Sequence, residues 1–181
     1  MARYQGIIIA GFGGQGILSI GKILAQAGMS EGMNVSWLPS YGPEMRGGTA
    51  YCHVILSDEP IGSPLLNEAT TLIAMNQPSF EKYCKLVVPD GLVVVDGSLI
   101  QGDTAGEQRK FFSLPATKTA LDNGNSTYAN IILAGKMIGE TGIISIESFE
   151  KALFSVLSKK YQHLIPEEMR MLQFGLEYKG S

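Results

Sequence analysis

The chain has 181 residues, of which 45% are hydrophobic and 17% are charged, and this size suits one domain with a substantial core. The 14 Lys and Arg residues and 17 Asp and Glu residues give a net charge of −3, so nothing indicates a nucleic-acid partner. No apolar run approaches the ~20 residues of a bilayer-spanning helix. The first residues lead directly into a strand, so we expect a cytoplasmic protein with no signal peptide and no membrane contact.

A strand, a glycine-rich loop and a helix open the chain. Residues 7–10 are apolar and β-prone, residues 11–16 contain four glycines, and helical spacing runs from about residue 15 to residue 29. The first, third and sixth positions of this glycine loop (residues 11–16) fit G-x-G-x-x-G, which binds a pyrophosphate at a helix N-terminus. The alternative is a turn whose glycines only pack the helix closely.

The second predicted strand, residues 35–38, argues against a nicotinamide dinucleotide. Such a site needs an Asp or Glu at the end of this strand to hold the ribose hydroxyls. No carboxylate stands there, and the nearest, Glu44, follows two turn-forming residues. The motif therefore favours another phosphate-bearing ligand.

The loop at residues 39–48 contains two prolines and three glycines, which stiffen and shape it. Arg46 offers a planar cationic group suited to phosphate, and Gly47 allows a backbone to approach closely. Glu44 is placed to pair with Arg46 or to contact a partner. The alternative is a surface loop whose two charges are only solvated.

The rest of the chain alternates strands with helices. Strands are predicted at residues 49–57, 71–75, 92–96 and 111–114, with a turn at residues 89–91. A helix is predicted at 79–83 with Asn76 or Gln77 near its cap, and another at 116–121. Further helices are predicted from a Ser126 or Thr127 cap with an amphipathic pattern to Met137, from a Ser145 cap, and from Pro166. This alternation predicts a doubly wound, mostly parallel α/β sheet in which strand 49–57 runs antiparallel.

Four irregular loops are expected at one edge of this sheet. They are residues 11–16, 39–48, 76–78 and 96–98. In open α/β sheets, ligands bind beyond the carboxyl ends of the strands. The sequence therefore predicts a binding site or an interface at this edge.

The cysteines and histidines favour neither a metal site nor a catalytic role. Cys52 and Cys84 form no C-x-x-C pair, so neither an iron–sulfur cluster nor a structural zinc site is expected from this chain alone. His53 and His163 are far apart in sequence and have no carboxylate at ligand spacing. We predict no catalytic residue and no metal ligand.

Several motifs together resemble the gamma subunit of the 2-oxoacid:ferredoxin oxidoreductases. They are the glycine loop with residues 21–25, the stretch 39–49, and the segments 57–61, 76–78 and 130–139. The resemblance covers most of the chain, and residues after 159 carry little signature. It implies a single Rossmann-like gamma domain over residues 1–181.

The resemblance also implies a function. These complexes oxidatively decarboxylate a 2-oxoacid with coenzyme A to give acyl-CoA, carbon dioxide and reduced ferredoxin. Thiamine diphosphate and Mg²⁺ lie on the alpha and beta subunits, and [4Fe–4S] clusters lie on a delta-type subunit or elsewhere in the complex. The gamma subunit covers the active site and helps to bind coenzyme A. Ferredoxin is the implied electron acceptor.

The ligand-binding residues that the resemblance implies come from the glycine loop, the 39–48 loop and the 76–78 turn. They are Gly11, Phe12, Gly13, Gly14, Gln15, Gly16, Ser40, Tyr41, Glu44, Arg46, Gly47 and Asn76. The short chain and the 76–78 turn favour 2-oxoglutarate or 2-oxoisovalerate over pyruvate as the oxoacid. The alternatives are a non-catalytic nucleotide-binding or assembly module, or the corresponding subunit of an indolepyruvate-type oxidoreductase.

Overall fold

The computed structural model describes residues 2–41, 48–102 and 108–180, and its strands form one six-stranded sheet. The strands are β1 (Tyr4–Phe12), β2 (Asn34–Tyr41), β3 (Thr49–Ser57), β4 (Ala69–Ala74), β5 (Val87–Asp96) and β6 (Lys110–Leu114). The helices are α1 (Ile17–Ser30), α2 (Gln77–Tyr83), α3 (Ala116–Asp122), α4 (Tyr128–Thr141), α5 (Ile146–Val156) and α6 (Ile165–Glu177). Short 3₁₀ helices at Cys84–Leu86 and Lys159–Leu164 follow α2 and precede α6.

The strand order is β2-β3-β1-β4-β5-β6. β1 pairs antiparallel with β3 and parallel with β4, and β5 and β6 continue the parallel part of the sheet. β2 pairs antiparallel with β3 and therefore runs in the same direction as β1. The predicted mostly parallel sheet with one antiparallel strand is confirmed. The carboxyl ends of β1, β2, β4 and β5 consequently lie at one edge.

The central strand explains the continuous apolar run near the start of the chain. Ile7, Ile8, Ile9 and Ala10 are completely buried. Ile7 and Ile9 belong to the larger core, which includes α1 and α4, whereas Ile8 and Ala10 belong to a smaller core on the other face with α2. A strand that is covered on both faces shows no alternation of polar and apolar residues.

The connections diverge between β1 and β4. The chain leaves β1 through α1 on one face toward β2, and it leaves β4 through α2 on the other face toward β5. β1 and β4 are neighbours in the sheet, so a crevice opens beyond their carboxyl ends. This reversal of direction is the place where ligands bind in doubly wound folds.

The fourth helix corrects one prediction. The pattern of residues 129–137 predicts an amphipathic α4, but every residue from Tyr128 to Ile138 is buried, because the sheet covers one side and α6 the other. Even Lys136 is only 4% exposed. Its Nζ donates to Glu140 Oε1 at 2.7 Å and to the carbonyl oxygen of Tyr178 at 2.8 Å, so the buried charge is paired.

Three local predictions also change. β2 extends through Pro39 and Ser40, which were predicted to start a loop, because an edge strand tolerates the missing N–H of proline. The predicted turn at residues 89–91 lies inside β5 as a bulge, in which Asp90 has a φ of 62°. Thr127 precedes α4, but its side chain makes no capping hydrogen bond to the helix and instead donates to Asn125.

The contact between α4 and α6 gives a test of the packing. A Cβ built at Gly135 would collide with the carbonyl oxygen of Leu172, and backbone cannot move aside as a flexible side chain does. We expect Gly135→Ala to lower the free energy of unfolding by about 1–3 kcal/mol, measured by urea denaturation of the chain. Gly62→Ala is the control, because nothing lies within 4 Å of its built Cβ, and it should change stability by less than ~0.5 kcal/mol. Equal stability of the two variants would contradict the tight crossing of the helices.

Candidate functional site

The glycine loop lies at the carboxyl end of β1, in the crevice beside β4. Two backbone hydrogen bonds shape it: Gly13 N–H donates to the carbonyl oxygen of Gly48 at 3.0 Å, and Gln15 N–H donates to that of Phe12 at 3.3 Å. The first bond ties the loop to the beginning of β3. The loop is therefore held by the antiparallel neighbour of β1 as well as by its own turn.

The side chain of Gln15 holds the loop from its other side. Its Oε1 accepts a hydrogen bond from Phe12 N–H at 2.6 Å, and its Nε2 donates to the carbonyl oxygen of Met75 at 3.0 Å. Both ends of the amide are thus engaged by main chain, one on β1 and the other directly after β4. Gln15 was predicted to contact a ligand; its geometry gives it a bracing role across the crevice.

The glycines leave room where the loop needs it. Gly14 has a φ of 96°, and nothing lies within 4 Å of a Cβ built on it, so this position opens outward. A Cβ at Gly11 would lie 2.5 Å from Gln15 Oε1 and 3.0 Å from Met75 Cβ. Gly11 therefore makes space for the side chain of Gln15, whereas Gly14 leaves a surface that a ligand can approach.

The beginning of α1 is suited to an anion. Gly16 is its N-cap with a φ of 75°, no side chain caps the helix, and no acidic residue lies in the first turn. Within the described chain, no hydrogen bond occupies the backbone N–H of Gly14 or of Gly16. These donors lie at the positive end of the α1 helix dipole, which fits the charge of a diphosphate.

Asn76 is the N-cap of α2, which decides between the two predicted candidates, Asn76 and Gln77. Its Oδ1 accepts a hydrogen bond from Ser79 N–H at 2.8 Å. The residue is 2% exposed, and its Nδ2 has no hydrogen-bond partner. Asn76 directly follows Met75, so the residue lies at the end of β4, beside the glycine loop.

Two further side chains organise this edge and were not predicted as site residues. Asp96 is fully buried and accepts hydrogen bonds from Ser98 N–H at 3.0 Å and from the Thr117 hydroxyl at 2.5 Å, which ties the end of β5 to α3. Asn130 on α4 donates from Nδ2 to the carbonyl oxygen of Gly16 at 3.1 Å. Asp96 is visible in sequence as a strand end, but no sequence pattern indicates the contact of Asn130.

The predicted residues of the second loop are only partly located. Ser40 is half-buried in β2, and Tyr41 is the last residue of that strand. Both lie at the same edge as the glycine loop but on the far side of β3. Glu44, Arg46 and Gly47 lie outside the described residues, so their predicted roles stay predictions.

His53 and both cysteines have environments that the protein interior largely determines. Nδ1 of His53 accepts a hydrogen bond from Leu66 N–H at 3.0 Å, and burial lowers the pKa of this histidine. Cys52 is buried under α1 in β3, whereas Cys84 is half-buried after α2. Residues 2–41, 48–102 and 108–180 contain no cluster of three or more His, Cys, Asp or Glu side chains that could hold a metal ion.

The helices of the described chain are all too short or too polar to cross a membrane.

Comparison with protein families matches residues 6–178 to the family described as pyruvate ferredoxin/flavodoxin oxidoreductase. The ketoisovalerate oxidoreductase subunit VorA of Methanothermobacter thermautotrophicus is 39% identical over 172 residues. This match covers 94% of the chain but only 35% of VorA, so the chain spans about a third of the length of that relative.

Two solved structures share the fold. The gamma subunit of a keto/oxoacid ferredoxin oxidoreductase from Geobacter sulfurreducens is 30% identical, with a TM-score of 0.82 over 97% of this chain and 95% of that one. The 2-oxoglutarate:ferredoxin oxidoreductase from Magnetococcus marinus, with 2-oxoglutarate, coenzyme A and succinyl-CoA bound, is 23% identical. Its TM-score is 0.86 over 96% of this chain and 30% of that one.

The two thiols should differ sharply in reactivity. Burial raises the pKa of Cys52 to about 12, and since the thiolate is the nucleophile, about one Cys52 in 10⁴ is reactive at pH 8. Cys84 is partly exposed, although burial raises its pKa as well. Titration of the native chain with a thiol reagent should therefore modify Cys84 slowly and leave Cys52 intact, and both should react in denaturant. Fast modification of two thiols in the native state would contradict the buried position of Cys52.

Proposed function

Because the chain belongs to the pyruvate ferredoxin/flavodoxin oxidoreductase family, we propose that it is the gamma-type subunit of a 2-oxoacid:ferredoxin oxidoreductase complex. In this proposal the glycine loop and the start of α1 hold the diphosphate of coenzyme A. The observation that carries it is the open approach at Gly14 beside free N–H groups at a helix N-terminus.

The chemistry of the crevice supports a diphosphate rather than another group. Two negative charges match the positive end of α1, and among the described residues the N–H groups of the left-handed Gly14 and Gly16 have no hydrogen-bond partner. Asn76 adds an unused amide donor on the opposite side of the crevice. The ligand is therefore expected to lie across the ends of β1 and β4, where doubly wound sheets bind nucleotides.

Other cofactors are assigned to partner subunits. The described residues do not fit an iron–sulfur cluster. Their two cysteines lie in separate elements, and neither belongs to a cluster of three or more His, Cys, Asp or Glu side chains. We assign thiamine diphosphate, Mg²⁺ and the [4Fe–4S] clusters to alpha-, beta- and delta-type chains, with ferredoxin as electron acceptor. This subunit then binds and orients coenzyme A while the oxidative decarboxylation takes place on other chains.

The oxoacid is proposed to be 2-oxoisovalerate or 2-oxoglutarate. VorA is named for ketoisovalerate, and the Magnetococcus structure contains 2-oxoglutarate. The pocket that selects the oxoacid belongs to partner chains in this proposal. A non-catalytic nucleotide-binding module remains the second candidate, which the glycine loop alone also fits.

The first test is the behaviour of the chain by itself. The purified chain should be colourless and should not reduce ferredoxin or a dye with any 2-oxoacid and coenzyme A. Affinity purification from its native cells should recover thiamine- and cluster-bearing chains in fixed stoichiometry. A monomeric protein that brings no such partners would favour the alternative module.

The second test substitutes the open glycine of the loop. Gly14→Ala strains a left-handed position and fills the space through which the ligand approaches, so the KM for coenzyme A in the assembled complex should rise. We expect about tenfold, equivalent to ~1.4 kcal/mol. The kcat and the decarboxylation half-reaction without coenzyme A should stay within about twofold of wild type.

Gly32→Ala is the matched control. Gly32 also has a positive φ of 75° and open space around its built Cβ, but it follows the C-terminus of α1 at the opposite edge. It should reduce stability as Gly14→Ala does and leave the KM for coenzyme A unchanged. If the two variants behave alike toward coenzyme A, the glycine loop is structural and the proposed site is wrong.

A further inference from the structure

We propose that Asn130, on α4, is a positioning residue that holds the glycine loop in its ligand-binding shape. The side chain comes from 114 residues further along the chain, and its Nδ2 donates to the carbonyl oxygens of Gly16 at 3.1 Å and of Gln15 at 3.4 Å. The proposal rests on the proposed function, because it concerns how the same loop binds coenzyme A.

The orientation of the Asn130 amide follows from its partners. Carbonyl oxygens only accept hydrogen bonds, so the nitrogen of the amide must face Gln15 and Gly16. The oxygen then points away, and Oδ1 is buried without a hydrogen-bond partner. A residue that is 6% exposed and leaves an acceptor unsatisfied is unfavourable for stability alone. The hydrogen bonds that the side chain does make both go to the glycine loop.

Asn130 packs so closely against Gly16 that only glycine leaves room for the contact. Gly16 is left-handed, and a Cβ built on it would collide with Nδ2 of Asn130. Its carbonyl oxygen also accepts from Ile20 N–H at 3.0 Å, the first hydrogen bond of α1. The amide therefore acts on the peptide group where the loop becomes helix. The carbonyl of Gln15 belongs to the peptide group that carries the N–H of Gly16, and the carbonyl of Gly16 belongs to the one that carries the N–H of Ile17, so the amide holds both peptide groups at the start of α1.

The loop is thus held by two side-chain amides from different sides. Gln15 links it to the end of β4, and Asn130 links it to α4. In both cases the amide nitrogen donates to a main-chain carbonyl oxygen. Loss of Asn130 should loosen the loop and weaken coenzyme A binding without removing any group that contacts the reacting atoms.

The test uses Asn130→Asp in the assembled complex. The carboxylate has the shape of the amide but places an oxygen against two carbonyl oxygens, so it repels the loop. We expect the KM for coenzyme A to rise about tenfold while kcat stays within about twofold. Hydrogen exchange of the segment 11–20 should become faster. Asn130→Ala removes the donor without a new charge and should show the same pattern more weakly.

The matched control is Asn34→Asp. Nδ2 of Asn34 donates to the carbonyl oxygens of Ser57 at 3.4 Å and Asp58 at 3.3 Å, the same arrangement at the opposite edge of the sheet. This variant should leave the KM for coenzyme A and the exchange of segment 11–20 unchanged.

The two proposals fail in different ways. Unchanged exchange of segment 11–20 in both Asn130 variants would overturn the positioning role. Faster exchange with an unchanged KM for coenzyme A would support the positioning role of Asn130. It would overturn the proposal that coenzyme A binds at the glycine loop. If the complex fails to assemble with Asn130→Asp but assembles with Asn130→Ala, the added charge is the cause. The exchange and the KM for coenzyme A of the alanine variant then test the positioning role.

Discussion

The bridge that Gln15 makes between the ends of β1 and β4 is the constraint on which the candidate site depends. β1 and β4 are paired up to the hydrogen bond from Met75 N–H to the carbonyl oxygen of Ala10 at 2.9 Å. Beyond that bond their connections go to opposite faces of the sheet, which opens a crevice. The amide of Gln15 spans it with hydrogen bonds of 2.6 and 3.0 Å to main-chain groups. Each such bond contributes about 1 kcal/mol to stability, but together they also fix the width of the crevice.

The antiparallel β3 gives the loop its second support. β3 begins at the same edge at which β1 ends, so the residue before it, Gly48, reaches Gly13 across the sheet. A parallel strand in that place would begin at the far edge and could not provide this contact. The one strand that departs from the parallel arrangement therefore has a direct role in shaping the loop.

The sequence predicts those features that depend on neighbouring residues. The strand, glycine loop and helix at the start are visible because strand propensity, glycine spacing and helical periodicity are local. Asn76 and Ser145 are correctly predicted caps for the same reason, and both accept the hydrogen bond expected of an N-cap. The edge at which the loops meet follows from the alternation of strands and helices.

Features that depend on distant partners were not predictable. The pattern of α4 indicates only one apolar face, because the cover on its other face is α6, which begins more than twenty residues after α4 ends. The bulge at Asp90 looks like a turn in sequence, because a left-handed residue between a proline and a glycine occurs in turns as well as in bulges. Asn130 begins a segment that resembles the family, but its contact with Gly16 has no sequence signal, because that contact exists only after the sheet has formed.

These distant contacts explain why the loop is ready for a ligand. The hydrogen bonds of Gln15, Asn130 and Gly48 order the loop when the protein folds. Ligand binding therefore does not carry the entropic cost of ordering the loop. The amides of Gln15 and Asn130 and the N–H groups of residues 13 and 15 all make hydrogen bonds that shape the loop. Among the described residues, the N–H groups of Gly14 and Gly16 remain without a hydrogen bond. Rigidity and anion binding therefore use separate groups, and a substitution can disturb one without removing the other.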